Sequence, residues 1–149
     1  MSDMVVDAKT VRLKAMDLLA RREHSVKELL RKLSERYEDW ELISTVVSQL
    51  IEDNLVSDTR FAEMYVRSRI GKQFGPIKIK NDLRERGVSD HNIKLAMNEA
   101  DQDWLQLIQK LSKKKYGETV PSEAKETAKR MRFFQSRGFD SDSIRFIFK

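Results

Sequence analysis

Residues 55–86 read LVSDTRFAEMYVRSRIGKQFGPIKIKNDLRER, and this stretch decides the fold. Asp58, or Ser57 before it, offers a short side-chain oxygen to the amides that the first turn of a helix leaves unpaired. Phe61, Tyr65 and Ser68/Arg69 then recur at helical spacing, which predicts that the aromatic pair faces a core. Gly71 and the Gly75-Pro76 step are predicted to stop that helix and start another, since glycine suits a helix end and proline a first helical position. On the second helix Ile79 and Leu83 lie one turn apart and share a face.

Outward from this stretch the pattern repeats. Residues 10–22 are predicted as a helix with Val11, Ala15, Leu18 and Leu19 on one side. Ser25-Val26-Lys27-Glu28 is a capping box that opens a second, carrying Val26, Leu29, Leu30 and Leu33. A third, from Trp40 to Glu52, carries Leu42, Ile43, Val46, Val47, Leu50 and Ile51. Glu35-Arg36-Tyr37, Glu85-Arg86-Gly87 and Ser136-Arg137-Gly138 superpose at spacings of 50 and 51 residues. Each is followed by an isoleucine seven residues after the arginine (Ile43, Ile93, Ile144) and preceded by an apolar residue three before it (Leu33, Leu83, Phe134). Self-similarity at a fixed period marks a repeat architecture. In the third copy Trp104, Leu107, Ile108 and Leu111 form a stripe, and a loop over Tyr116–Ser122 precedes a helix with Ala124, Ala128, Met131 and Phe134. A last helix runs from Asp140 to Phe148. The expected fold is all-α: three tandem three-helix, helix-turn-helix-like repeats over 1–54, 55–98 and 99–149, stacked into an elongated curved array.

Composition agrees. The 149 residues are 40% hydrophobic and 36% charged, with five glycines and two prolines, which favours helices with solvated faces over a turn-rich sandwich or barrel. Zero cysteines exclude disulfides, thiolate catalysis and cysteine zinc sites. No span reaches transmembrane length and MSDMVVDAKTVRLK lacks a signal-peptide apolar core, so a cytoplasmic protein is expected. Gly71-x-x-x-Gly75 lacks the Lys-Ser/Thr of a nucleotide-binding loop, and no nucleophile-base set is present. His24 and His91 lie in different repeats without partners at ligand spacing. A non-enzyme with no cofactor and no metal is the expectation.

The formal charge of +5 suits an anionic partner, and it is unevenly placed. Nine basic residues face eleven acidic ones over 1–54 (net −2), nine face five over 55–97 (+4), and eleven face eight over 98–149 (+3). Arg60, Arg67, Arg69, Lys72, Lys78, Lys80 and Arg84 fall in one run with only Glu63 and Asp82 between them, and Arg86 follows. Such a run reads either as a solvated helical face or as a cationic binding face. Lys113-Lys114-Lys115 equally suits a helix C-terminus. Tyr65, Trp40 and Trp104 read as packing residues rather than stacking platforms.

The motif Leu55, Asp58, Arg60-Phe61-Ala62, Tyr65-Val66, Arg69, Gly75-Pro76, Leu83 and Arg86-Gly87-Val88 resembles the central signature of the RecX family, bacterial regulators of the RecA recombinase. Asn54 stands where that family usually has glycine, and asparagine tolerates the same left-handed backbone. The resemblance covers essentially the whole chain and agrees with three tandem three-helix units. It implies a monomer that binds RecA polymerised on single-stranded DNA, with weak non-specific DNA binding. It further implies obstruction of ATP hydrolysis, strand exchange and repressor cleavage, and limited filament extension, with the eight cations 60, 67, 69, 72, 78, 80, 84 and 86 as the contact face. The other reading is a sequence-specific duplex reader using Ser89–Glu99, with His91, Asn92, Lys94 and Asn98 at base edges. Against it, the matching helix of the first repeat opens on Glu38, Asp39 and Glu41.

Overall fold

A computed structural model describes residues 6–148; residues 1–5 and Lys149, which open the first expected repeat and close the third, lie outside the described residues. Within them the chain forms nine α-helices and no strand. They are α1 (Ala8–Arg21), α2 (Val26–Arg36), α3 (Trp40–Glu52), α4 (Asp58–Gly71), α5 (Pro76–Glu85), α6 (Asp90–Ala100), α7 (Trp104–Tyr116), α8 (Ala124–Ser136) and α9 (Ser141–Ile147). Local chemistry sets most starts: Asp7, Ser25, Asp39, Ser57, Ser89, Asp103 and Asp140 each accept a hydrogen bond from an amide of the first turn. Helix α2 carries the complete capping box, with Glu28 returning to the Ser25 amide. Helix α5 instead starts with Pro76 at its first position.

The helices pack in triplets, and the most extensive helix–helix packing falls inside a triplet. Three separate cores result. Val11, Ala15, Leu29, Leu33, Ile43, Val46, Val47, Leu50 and Val56 form the first. Phe61, Ala62, Tyr65, Val66, Ile79, Leu83, Val88, Ile93 and Ala96 form the second. Leu107, Ile108, Leu111, Phe134, Phe139 and Ile144 form the third.

Some expectations fail at particular residues. Gly71 stays helical; the chain turns at Gln73, whose φ of 63° lets the Phe74 amide return to the Arg69 carbonyl at 3.0 Å. Trp40 is 55% exposed and Ile51 46%, because both sit at the rims of α3, past the reach of the core. Trp104 does pack, against the second and third cores. Asn54 takes φ 59° as its chemistry allows, and Leu55 returns to Leu50 at 2.9 Å.

Two joints connect the triplets, and both place the turn after a middle helix against the start of the preceding middle helix. At the first, the Cβ position of Gly87 (φ 82°) lies 2.8 Å from Cβ of Lys27, and Lys27 Nζ donates to the Glu85 carbonyl at 3.0 Å. The Val26 amide, an orphan of the α2 first turn, donates to Asp58 Oδ1 at 2.8 Å. At the second joint, Gly75 and Ile77 amides donate to the carbonyls of Arg137 (2.7 Å) and Gly138 (3.0 Å). No Cβ fits at Gly75, where the Gly138 backbone occupies the space, and Gly138 at φ 94° lies equally tight on Lys78. The first triplet has Tyr37 at the position of these glycines, with extended backbone (φ −126°). In the third triplet α8 starts at Ala124, although Thr127 is the residue 51 positions after Pro76.

Candidate interaction surface

The eight cations expected on one face are divided by the fold. Arg60 belongs to the first joint: its Nε meets Glu23 Oε2 at 2.7 Å, and its terminal nitrogens bond the Asn54 side chain and carbonyl at 3.0 and 2.9 Å. Arg86 is there too, 3.5 Å from Glu28 and bonded to the Asp82 carbonyl at 3.1 Å. Arg69 and Arg86 each lie 4.8 Å from the ring centre of Tyr65. Lys78 pairs with Asp82 at 3.3 Å beside the second joint. Four remain exposed: Arg67, Lys72, Lys80 and Arg84. Arg67 sits alone in a depression of about 360 Å³ beside Glu63, Ala96 and Glu99. Lys72 is on the α4–α5 turn.

The other two share a groove between α5 and α6. Lys80, Arg84, Lys94 and Asn98 line it over Ile93 and Met97. Arg84 pairs with Asp90 at 3.1 Å, but both are mostly solvated, so the pair contributes little and leaves the guanidinium available. Ile93 and Ala96 bury the inner side of α6, which turns Lys94 and Asn98 outward. The clustering of cations along the sequence pointed to α5; the contribution of Lys94 depends on α6 folding back beside it.

Tyr65 is a core residue, 5% exposed. Burial and its bond to Asp82 Oδ2 at 3.0 Å push its hydroxyl pKa up. It has no free face for a base. In the first triplet His24 is 2% exposed, with Nδ1 3.0 Å from the Arg22 carbonyl and Nε2 2.9 Å from Lys32 Nζ. An ammonium only donates, so Nε2 accepts and Nδ1 carries the proton. Burial, aided by the charges of Arg22 and Lys32, lowers the His24 pKa below its ordinary 6.5. Sequence spacing gave no sign of this pair. Among the described residues no group of three metal-ligating side chains assembles, and no helix is long and apolar enough to cross a membrane.

Known proteins share this architecture and sequence. The second three-helix domain of RecX matches residues 57–97 and the third matches 101–148. Regulatory protein RecX of Halorhodospira halophila is 38% identical over 145 residues, covering 97% of this chain and 90% of that protein. Its counterpart in Pseudomonas savastanoi pv. phaseolicola is 39% identical over 134 residues, covering 90% and 86%. The crystal structure of RecX from Lactobacillus salivarius superposes with a TM-score of 0.73 over 95% of this chain and 94% of that one, at 25% identity. A further crystal structure of regulatory protein RecX gives 0.76 over 99% and 81%, at 23% identity, a likeness of fold. With two matched domains that fall on the α4–α6 and α7–α9 triplets, and relatives this similar over nearly all of its length, the chain belongs to the RecX family of regulatory proteins.

Proposed function

We propose that this chain is a negative modulator of RecA that binds the RecA filament on single-stranded DNA. There it inhibits ATP hydrolysis, strand exchange and coprotease activity and limits filament extension during DNA repair. The observation that carries the reading is the α5–α6 groove, where Lys80, Arg84 and Lys94 from two helices present exposed charge together. Cations so placed meet acidic protein surface or phosphate, speeding encounter and making binding salt-sensitive. Three separately cored units give several places of contact, so modest affinities combine through effective concentration.

The test is the rate of ATP hydrolysis by RecA on single-stranded DNA as this protein is titrated in. A steep fall well below one molecule per RecA protomer is expected. The double reversal Lys80→Glu and Lys94→Glu is expected to raise the amount needed by roughly tenfold or more, at unchanged helicity, through lost charge complementarity. Undiminished inhibition by that variant would remove the groove from the interface, and no inhibition by the wild type in low or moderate salt would sink the reading itself. The exposure of His91, Lys94 and Asn98 on α6 favours the duplex reader as second reading. Fluorescence anisotropy separates them, since selective tight duplex binding at physiological salt belongs only to the reader.

A further inference from the structure

We infer that the cleft between the first and second triplets is a phosphate-binding site, built by Arg22, Arg69 and Arg86. The cleft, about 190 Å³, is lined by these three arginines together with Glu28, Tyr65 and Ser68, over an apolar floor. Three guanidiniums face one carboxylate, which leaves two positive charges without a counter-charge in the lining. Glu28 serves Arg22 at 3.2 Å and Arg86 at 3.5 Å, so its oxygens are engaged. The Arg69 side chain makes no hydrogen bond among the described residues, and its Nε is buried without an acceptor. A buried donor without a partner is costly, so such a group calls for an acceptor from outside the chain.

The chemistry fits a tetrahedral oxyanion. Guanidinium forks present paired donors that match phosphate oxygens, and the Ser68 hydroxyl adds another donor. Tyr65, covered by Arg69 and Arg86 at 4.8 Å, offers no face for a base, so the site reads phosphate without reading sequence. Arg22 precedes α2 whereas Arg69 and Arg86 come from α4 and the α5 end, so one phosphate ties two triplets together.

This goes beyond the proposed function and is tested without RecA, so either can fail alone. The arginine Nε–H resonances of the full chain are followed by NMR, with Arg69 assigned from its loss in Arg69→Lys. Inorganic phosphate and then a short oligothymidylate are titrated at ionic strength held constant with sodium chloride. A saturable shift of the Arg69 signal with phosphate, tighter with the oligonucleotide, is expected. A shift with phosphate that the oligonucleotide does not tighten assigns the site to free phosphate. Arg69→Lys keeps the charge but not the fork, and its oligonucleotide affinity, measured by anisotropy, is expected to fall about tenfold at unchanged helicity. The wild-type titration stands if that variant does not fold. No saturable shift with either probe, or a shift from an oligoglutamate peptide alone, overturns the proposal.

Discussion

The two joints of the molecule do the same job by different means. The first is ionic: Glu23, Glu28 and Asp58 meet Arg60, Arg86 and the Val26 amide across the triplet boundary, and Arg22 pairs with Glu28 from within its own triplet. Among the described residues no carboxylate bridges the second; two backbone hydrogen bonds and a glycine-on-glycine approach hold it, with the Arg137 guanidinium 3.8 Å from the Phe74 ring centre and bonded to the Lys72 carbonyl. A joint made of charges responds to solution conditions, whereas one made of backbone responds to volume. The same repeat therefore carries one adjustable connection and one fixed one.

The largest effect should come from filling the fixed joint. Gly75→Ala places a Cβ on the Gly138 backbone and is expected to cost about 2–4 kcal/mol, read by urea unfolding together with loss of hydrogen-exchange protection at the Gly75 and Ile77 amides. Protection as in the wild type would show that this joint tolerates volume after all. Next comes Glu28→Gln, expected to lose about 1–3 kcal/mol while sparing the second joint.

Acid should distinguish the joints in the same way. Burial raises the Glu28 pKa, but the Arg22 hydrogen bond, the Ser25 amide and nearby positive charge outweigh it and hold it below its ordinary 4.5. A lowered carboxylate pKa stabilises the fold above the unfolded value, and that stability is lost as pH falls below about 4.5. His24, lowered from 6.5, works in the higher window: the unfolded imidazole charges first, so stability starts to fall below about pH 6.5. In urea titrations between pH 7 and 5, His24→Gln is expected to flatten that upper slope; an unaltered slope would remove His24 from the account. The smaller effects are Asp58→Ala, about 1 kcal/mol through the lost Val26 bond, and added salt, which should loosen only the ionic joint by a few tenths of a kcal/mol. Exchange protection of the Val26 amide measures both.

What could be read in the sequence was what lies close along the chain. The Ser25–Glu28 box, the Asn54 turn and the Ile79–Leu83 face all involve partners within a turn or two, and each is where its residues place it. The same Glu28 also pairs with Arg86, and Asp58 with Val26, contacts that span a triplet boundary and leave no trace in local periodicity. That is why the basic run looked like one face. Four of its cations, Arg60, Arg69, Lys78 and Arg86, are half-buried against carboxylate or aromatic partners, and the α5–α6 groove gained Lys94 from outside the run. Trp40 shows the converse limit: apolarity states a preference for burial, but position at a helix rim decides whether burial is reached.

Docking a turn onto the start of the previous middle helix is a head-to-tail contact, and contacts of that kind propagate into open polymers unless their ends are blocked. In this chain the first and third triplets each depart from the joint pattern. At one end Tyr37 carries a side chain where the joint requires bare backbone, and its extended φ of −126° does not form the turn that Gly87 and Gly138 form. At the other, Ala124–Glu126 extend α8 by three residues before Thr127, the position that matches Pro76 at the start of α5. Replacing those two departures with the interior pattern is the route to seating a further unit on the array.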